Sequence, residues 1–126
     1  EFVGGAIAPG LVTASEALIS RTARLYRVEL LQPKEAIGRN TVTNIQSGVM
    51  YGWAGLVDGL VDRMRAEMGG PVQVVATGGL AGQLRGVART IDLVNPDLTL
   101  EGLRTIWEHA HPPTSLGAPP GDSKRG

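Results

Sequence analysis

The sequence contains no cysteine, few aromatic residues and no excess of either charge. Without cysteine, neither a disulfide framework nor thiolate chemistry is available. The 12 basic and 12 acidic side chains cancel, which argues against a nucleic-acid surface or an anionic membrane as partner, since both need clustered basic charge. No apolar run approaches the roughly 20 residues that span a bilayer, and no signal peptide is expected. These absences predict a cytoplasmic protein without membrane or nucleic-acid partners.

The length of 126 residues fits one small domain or one half of a larger protein. Because the chain opens at Glu1-Phe2-Val3 without an initiator methionine, we expect a fragment. A domain is predicted over residues 1–110. The remaining segment, 111–126, holds four of the eight prolines and almost no bulky apolar residue, so it is predicted to be a disordered tail.

Hydrophobic periodicity and turn residues predict an alternation of strands and helices. The predicted elements are, in order, a strand at 2–8, a helix at 14–25, a long helix at 43–68, a strand at 72–76, a helix at 80–88, a strand at 91–94 and a last helix through Leu100, Leu103, Ile106 and Trp107. Thr13 and Glu16 have the spacing of a capping box for the first helix. The alternation is typical of an α/β fold.

The long helix is the most regular element of the sequence. No proline interrupts it, and Gly69-Gly70 ends it. Apolar residues recur in steps of three and four, which indicates an amphipathic helix; they are Ile45, Val49, Trp53, Leu56, Leu60 and Met64. Thr43 and Gln46 have capping-box spacing, while Asn40 and Thr41 are alternative caps just upstream.

Four glycines form a stripe along this helix at Gly48, Gly52, Gly55 and Gly59. Each glycine costs about 1 kcal/mol relative to alanine in a helix interior. Close approach of another helix, or of a ligand or strand backbone, would offset that cost. We favour a second helix. A membrane span is not expected, because the second half of the helix carries too many charged residues.

The run Val74–Ala81 predicts a strand, a bare turn at Gly78-Gly79 and the start of a helix. Glycine at both turn positions would let a ligand, such as a nucleotide, touch backbone N–H groups directly. A tight strand-to-helix turn also uses two glycines for local backbone reasons alone. Both interpretations stay open at this point.

Five motifs in register carry a resemblance to a known family, and they are Gly4–Gly10, Gly38–Thr41, Gly55–Gly59, Ala76–Gly79 and Asp97–Leu103. In order and approximate spacing they resemble the type III pantothenate kinases. The resemblance covers residues 2–108 and corresponds to the second half of the family's chain. Position 39 is arginine where the family commonly has lysine, which keeps the charge.

The resemblance implies a ribonuclease-H-like domain with a mixed sheet, as in the actin and sugar-kinase superfamily. It implies a kinase that transfers the γ-phosphate of ATP to pantothenate, the first step of coenzyme A synthesis. Members resemble one another in being homodimers that use Mg²⁺ with ATP and a monovalent cation, K⁺ or NH₄⁺. The implied partners are therefore pantothenate, a second copy and the N-terminal half of the same enzyme.

The resemblance also implies site residues. Thr41 matches a threonine that touches pantothenate held mainly by the other subunit, although a threonine before a long helix is also a common cap. Gly78 and Gly79 match the motif near the adenosine part of ATP, and Gly4–Gly10 match a loop bordering the interdomain cleft. The family's phosphate loop, catalytic aspartate and cation-binding aspartate precede this chain, so no catalytic or metal-binding residue is assigned here.

Other chemistry-bearing residues are interpreted structurally. Asp58 and Asp62 are expected to be solvated or capping charges rather than a catalytic pair, and His109 and His111 lack a third metal ligand nearby. Trp53 and Trp107 are predicted to lie in the core, and Arg21, Arg24 and Arg27 on a solvated face. The alternative function is a catalytically inactive dimeric homologue that acts as a regulatory or nucleotide-sensing scaffold.

Overall fold

The computed structural model describes residues 1–20 and 28–112. The helices and strands in chain order are α1 (Leu11–Ser20), α2 (Thr41–Met68), β1 (Val75–Ala76), α3 (Ala81–Leu84), β2 (Leu93–Val94) and α4 (Leu98–Ala110). They fall into two compact units, one of Glu1–Pro96 and one that begins at Asp97. The prediction of an α/β fold is confirmed.

The first unit is built around α2, whose 28 residues extend for about 42 Å. The buried centre of the core consists of Leu11, Val49, Met50 and Leu84, so it joins α1 and α3 to one face of α2. Partly buried apolar side chains surround this centre, and they are Leu30, Ile45, Trp53, Leu80, Val87 and Ile91. Trp53, predicted to lie in the core, is partly buried and packs against it.

The predicted long helix is confirmed, and it begins two residues earlier than periodicity indicated. Asn40 is the N-cap: its side chain accepts a hydrogen bond from the Thr43 N–H at 2.9 Å. The alternative capping box of Thr43 with Gln46 is wrong, because Thr43 already lies in the third helical position. At the other end Gly69, with φ of 62°, donates its N–H to the Arg65 carbonyl at 3.2 Å, as the glycine signal predicted.

The two strands pair in parallel, with Val75 opposite Leu93 and Ala76 opposite Val94. Both fall inside the predicted strands, and each is two residues long. The Val74 carbonyl accepts from Leu93 N–H at 3.2 Å. The connection between them contains α3, which is shorter than the predicted helix at 80–88 and continues as turns. A parallel pair needs such a crossover.

The predicted strand at 2–8 is wrong. Residues 2–8 join no ladder with the described parts of the chain, and the side chains of Phe2 and Ile7 are fully accessible. A strand requires a partner for its backbone groups, and apolar composition alone does not supply one.

The predicted start of the first helix is also wrong. Helix α1 begins at Leu11, directly after Pro9-Gly10, and the Gly10 carbonyl accepts from the Ala14 N–H at 2.9 Å. Thr13 and Glu16 therefore lie within the helix and cannot cap it. Burial of Leu11 against α2 favours this earlier start. The rest of the predicted helix, 21–25, lies outside the described residues.

In the second unit, the predicted last helix is confirmed as α4; it begins at Leu98, and the Asp97 carbonyl accepts from the Glu101 N–H at 2.9 Å. The predicted core position of Trp107 is wrong: its side chain is 61% exposed, and its ring stacks on His111 at 4.8 Å. α4 is the one helix in the described part of this unit. No other helix of the described part of the unit therefore covers the exposed apolar side chains of α4, which are Leu100, Leu103, Ile106 and Trp107. No helix among the described residues is long and apolar enough to cross a membrane.

Candidate substrate and nucleotide sites

The Gly-Gly turn after β1 lies open. Gly78 has a φ of 99°, which L side chains rarely adopt, and its carbonyl accepts from the Ala81 N–H at 3.1 Å to close the turn. A Cβ atom on Gly78 or on Gly79 would meet no atom of the described residues within 4 Å. Packing thus does not require glycine at 79, whereas backbone conformation does require it at 78. The predicted bare turn is confirmed, and its role in binding stays a prediction.

This turn borders a cleft of about 470 Å³. The lining residues are Gly10, Leu11, Trp53, Val57, Val74, Val75, Ala76, Thr77, Gly78, Gly79, Leu80, Ala81, Leu84 and Ile91. None of them is charged, and most are apolar. The structure therefore brings the end of the Gly4–Gly10 motif and the Gly-Gly turn to one cleft whose surface suits a flat apolar ring better than a phosphate group.

The start of α2 is a second candidate region. Thr41 is its first helical residue, exposed, and its hydroxyl has no hydrogen-bond partner among the described residues. The backbone N–H groups of Thr41 and Val42 belong to the helix start, where no intrahelical acceptor is available. These groups carry partial positive charge, which attracts a carboxylate. Thr41 is thus not the cap, and its hydroxyl is available to a ligand.

Thr41 does not line the glycine-bordered cleft. Twelve residues of α2 separate Thr41 from Trp53, which is roughly 18 Å along the helix axis. A different cleft, of about 380 Å³, lies at the start of α2; its charged lining residues are Lys34, Glu35 and Arg39, and Thr41 does not line it. Arg39 pairs with Glu35 at 3.4 Å in an exposed ion pair. The structure therefore places Thr41 and the Gly-Gly turn in separate regions of one chain.

The connection before α2 is held to it by polar side chains that sequence reasoning missed. Gln46 donates to the Glu29 carbonyl at 2.8 Å, Tyr51 to the Pro33 carbonyl at 2.7 Å, and Ser47 to the Ala36 carbonyl. Trp53 Nε1 donates to the Pro9 carbonyl at 3.1 Å. These acceptors are backbone carbonyls distant in sequence, and neither periodicity nor motif spacing signals such bonds.

The carboxylate of Asp58 accepts hydrogen bonds from the segment before β2, so it is not a free charge. Its carboxylate accepts from Thr90 Oγ1 at 2.7 Å, from the Thr90 N–H at 2.9 Å and from the Arg89 N–H at 3.3 Å. Burial raises the pKa of Asp58, but the bonds from Thr90 and Arg89 outweigh this and hold it below the ordinary value of 3.8. Asp58 thereby ties α2 to the segment that leads into Ile91 and the cleft.

Asp62, one turn further on, pairs with the Arg89 guanidinium, and both side chains are largely exposed. Since water screens exposed charges, this pair contributes little to stability. A similar bridge lies near β1: Asp92 accepts from the Val74 N–H at 2.7 Å and from Arg65 at 3.2 Å. The expectation that Asp58 and Asp62 are not a catalytic pair fits these contacts.

The glycine stripe lies on the face of α2 opposite the core. Gly48, Gly52 and Gly55 are exposed, and a Cβ on any of them would meet nothing within 4 Å. The core face presents Met50 and Ala54, which are buried. Leu56, predicted to lie on the apolar face, is 37% exposed beside the stripe. No described element of the chain therefore packs on the stripe.

The two histidines end α4. His109 Nδ1 donates to the Thr105 carbonyl at 2.8 Å, and His111 Nδ1 donates to the Trp107 carbonyl at 3.1 Å. Within residues 1–20 and 28–112, no group of three or more His, Cys, Asp or Glu side chains could hold a metal ion. The predicted basic face of Arg21, Arg24 and Arg27 lies outside the described residues.

The fold and the cleft define an α/β protein with an open glycine turn that can take a ligand against its backbone. A family model described as type III pantothenate kinase matches residues 1–63, which is half of the chain. The chain belongs to this family, as the five motifs predicted.

Curated relatives extend the match beyond the family model. A type III pantothenate kinase of Moorella thermoacetica is 56% identical over 108 residues, which are 86% of this chain and 42% of the relative. Relatives of the same name from Roseiflexus sp. and Geobacillus sp. are 54% and 46% identical over equal shares. The chain therefore spans 42% of the length of these relatives.

Proposed function

We propose that this chain is the part of a pantothenate kinase that faces the adenosine of ATP and supplies a substrate contact to a second copy. The complete enzyme transfers the γ-phosphate of ATP to the hydroxyl of pantothenate, in the first step of coenzyme A synthesis. The observation that carries the proposal is family membership joined to the open turn at Gly78-Gly79.

We propose that the adenosine part of ATP occupies the glycine-bordered cleft. The apolar walls suit the adenine ring, and the exposed backbone at Gly78 and Gly79 leaves room for close approach. No charged side chain of residues 1–20 and 28–112 lines the cleft, so the triphosphate would extend beyond it. A ribonuclease-H-like arrangement, in which a second domain closes over the cleft and brings the phosphate loop, is part of this proposal.

Thr41 is proposed to contact pantothenate bound to the other copy of a homodimer. Eighteen residues separate Thr41 from Gly59, about five turns at 3.6 residues per turn, so Thr41 and the glycine stripe share one face of α2. A copy packed along that stripe would meet Thr41 at its end. The separation of Thr41 from its own chain's Gly-Gly turn is consistent with a site shared between copies.

Phosphoryl transfer needs a metal, a phosphate cradle and a carboxylate that receives the proton of the attacking hydroxyl. We propose that Mg²⁺, the monovalent cation and these catalytic groups come from the N-terminal half of the enzyme. A cytoplasmic location belongs to the same proposal. The relatives compared are named as kinases, and no observation on the described residues favours an inactive regulatory homologue.

The experiment is steady-state kinetics of pantothenate phosphorylation by the complete gene product. Thr41→Ala is expected to raise the KM for pantothenate and leave the KM for ATP nearly unchanged. Gly79→Val is expected to weaken ATP and leave pantothenate nearly unchanged. An unaltered pantothenate KM removes Thr41 from the site, and ATP titrations of Gly79→Val that match the parent make the turn purely structural.

A further inference from the structure

The backbone on both sides of Thr41 is tied by a closed set of hydrogen bonds. Thr43 Oγ1 accepts from the Arg39 N–H at 3.0 Å and from the Asn40 N–H at 3.2 Å. Asn40 Oδ1 in turn accepts from the Thr43 N–H at 2.9 Å. We call Asn40 and Thr43 the capping pair. Because its bonds bracket Thr41, the position of Thr41 depends on both side chains.

Gly38 adds a steric restraint to the capping pair. A Cβ at position 38 would overlap the side-chain oxygen of Asn44 and lie 2.7 Å from the carbonyl carbon of Thr43. Both contacts are with the first turn of α2, and one is with backbone that cannot rotate away. The chain that enters the helix is therefore packed directly onto the turn that contains Thr41.

The capping pair also decides which polar groups remain for a ligand. It occupies the N–H of Thr43, the third helical residue. The groups left without a partner among the described residues are the Thr41 hydroxyl and the N–H groups of Thr41 and Val42. They are adjacent in the chain at the start of α2, and they can donate to a carboxylate or hydroxyl group of a ligand.

We propose that Asn40 and Thr43 are positioning residues for pantothenate, which fix the Thr41 hydroxyl and its neighbouring N–H groups in the orientation that receives the substrate. This inference rests on the proposed contact between Thr41 and pantothenate. Neither side chain needs to touch the substrate, since each acts through the backbone of Thr41. A contact group held before binding loses less conformational entropy when the ligand arrives.

Loss of the capping pair should loosen the first turn and leave the rest of the helix folded. The next turns of α2 are anchored by the buried side chains of Val49, Met50 and Ala54, and by the bonds of Gln46 and Ser47 to the preceding connection. The effect on substrate binding is therefore separable from the effect on folding. That separation makes the inference testable.

The test compares Thr43→Val, which removes the hydroxyl but keeps the side-chain shape, with Thr43→Ser, which keeps the hydroxyl. In the complete enzyme, Thr43→Val is expected to raise the KM for pantothenate about fivefold, the ratio that corresponds to loss of a typical N-cap. The KM for ATP should not change, and Thr43→Ser should restore the parent value. Asn40→Ala against Asn40→Asp is the matched pair for the other residue, because aspartate also accepts from the Thr43 N–H.

Three results would overturn the inference. If Thr43→Val and Thr43→Ser have the same pantothenate KM as the parent while Thr41→Ala raises it, positioning is refuted and the proposed function stands. If Thr43→Val changes both KM values and kcat alike, its role is only structural. If Thr41→Ala has no effect, the proposed substrate contact fails first, and the positioning role fails with it. Should Thr43→Val not fold, the Asn40 pair decides by the same criteria.

Discussion

One face of α2 is packed against its own chain, whereas the middle turns of the opposite face are lined by exposed glycines. Met50 is 1% exposed against α1 and α3, while a Cβ atom at Gly48, Gly52 or Gly55 would have no neighbour within 4 Å. Glycine lowers the stability of a helix. At these three positions, no contact with the described residues offsets that loss. In the proposed homodimer, the second copy would supply the missing contact along the stripe.

The largest effect is expected on the core face. Met50→Ala should lower the free energy of unfolding by about 2–5 kcal/mol, because it removes a fully buried side chain and leaves a cavity between α2 and its neighbours. Chemical denaturation measures the change. Met50→Leu, which conserves volume, should cost less than about 1.5 kcal/mol. Equal stability of Met50→Ala and the parent would mean that this face is not the core.

A smaller effect is expected where α2 is tied to the segment before β2. Asp58→Ala leaves the N–H and hydroxyl of Thr90 without an acceptor, and Thr90 is 1% exposed, so the cost should be about 1–3 kcal/mol. Asp62→Ala is the control, since its pair with Arg89 is exposed and should contribute under about 1 kcal/mol. Equal losses in the two variants would contradict the role given to Asp58.

The pH dependence of stability provides an independent measure of Asp58. Its folded-state pKa lies below the ordinary 3.8, so its carboxylate stabilises the fold above that pH, and the stabilisation disappears as the pH falls through the folded-state pKa. Asp58→Asn should therefore be less stable than the parent at neutral pH, and the gap should narrow below about pH 4. A gap that stays constant from pH 7 to pH 3 would exclude the linkage.

The stripe itself should control self-association. Gly52→Leu should raise the dissociation constant of the dimer at least about tenfold, since a large side chain on the smooth face keeps the second helix at a distance. Sedimentation over a concentration series measures this. No atom of the described residues lies within 4 Å of a Cβ at position 52, so the fold of the single chain should persist in Gly52→Leu. An unchanged dissociation constant would mean that the second copy does not pack on the glycine stripe.

The smallest effect is expected from Gly52→Ala, which adds only a methyl group at position 52. Gly52→Ala should stabilise the dissociated chain by about 1 kcal/mol, because alanine has the higher helix propensity and no neighbour is in the way. Thermal unfolding under strong dilution measures it. A loss of stability in the dissociated chain would show that another part of the same molecule occupies the stripe.

Local signals in the sequence were sufficient for the helix α2 and for the turn at Gly78. The apolar periodicity, Asn40 and Gly69 define the ends of α2 within two residues, and the pair of glycines marks the turn because φ is positive there. The family resemblance rested on several short motifs, and the comparisons confirmed it.

Features that depend on distant partners could not be predicted in this way. Residues 2–8 look like a strand but find no ladder partner among the described residues, and Trp107 follows an apolar period yet is exposed. The role of Asp58 depends on Thr90, 32 positions away, which no periodicity reveals. The position of Thr41 on the same face as the stripe emerges only when the helix start is known.

The most direct test of the central claim, that Thr41 of one copy serves the nucleotide cleft of another, is complementation between two impaired variants. Complete enzymes carrying Thr41→Ala and Gly79→Val are mixed, exchanged and assayed at low pantothenate. In each mixed dimer, one shared site contains both substitutions and the other contains neither. At equal mixing about half of the dimers are mixed, so about a quarter of all sites are intact and the activity should rise to about a quarter of the parent's. If mixed dimers form, as differently tagged copies verify, and activity stays at the mean of the two variants, the site lies within one chain and the account is wrong.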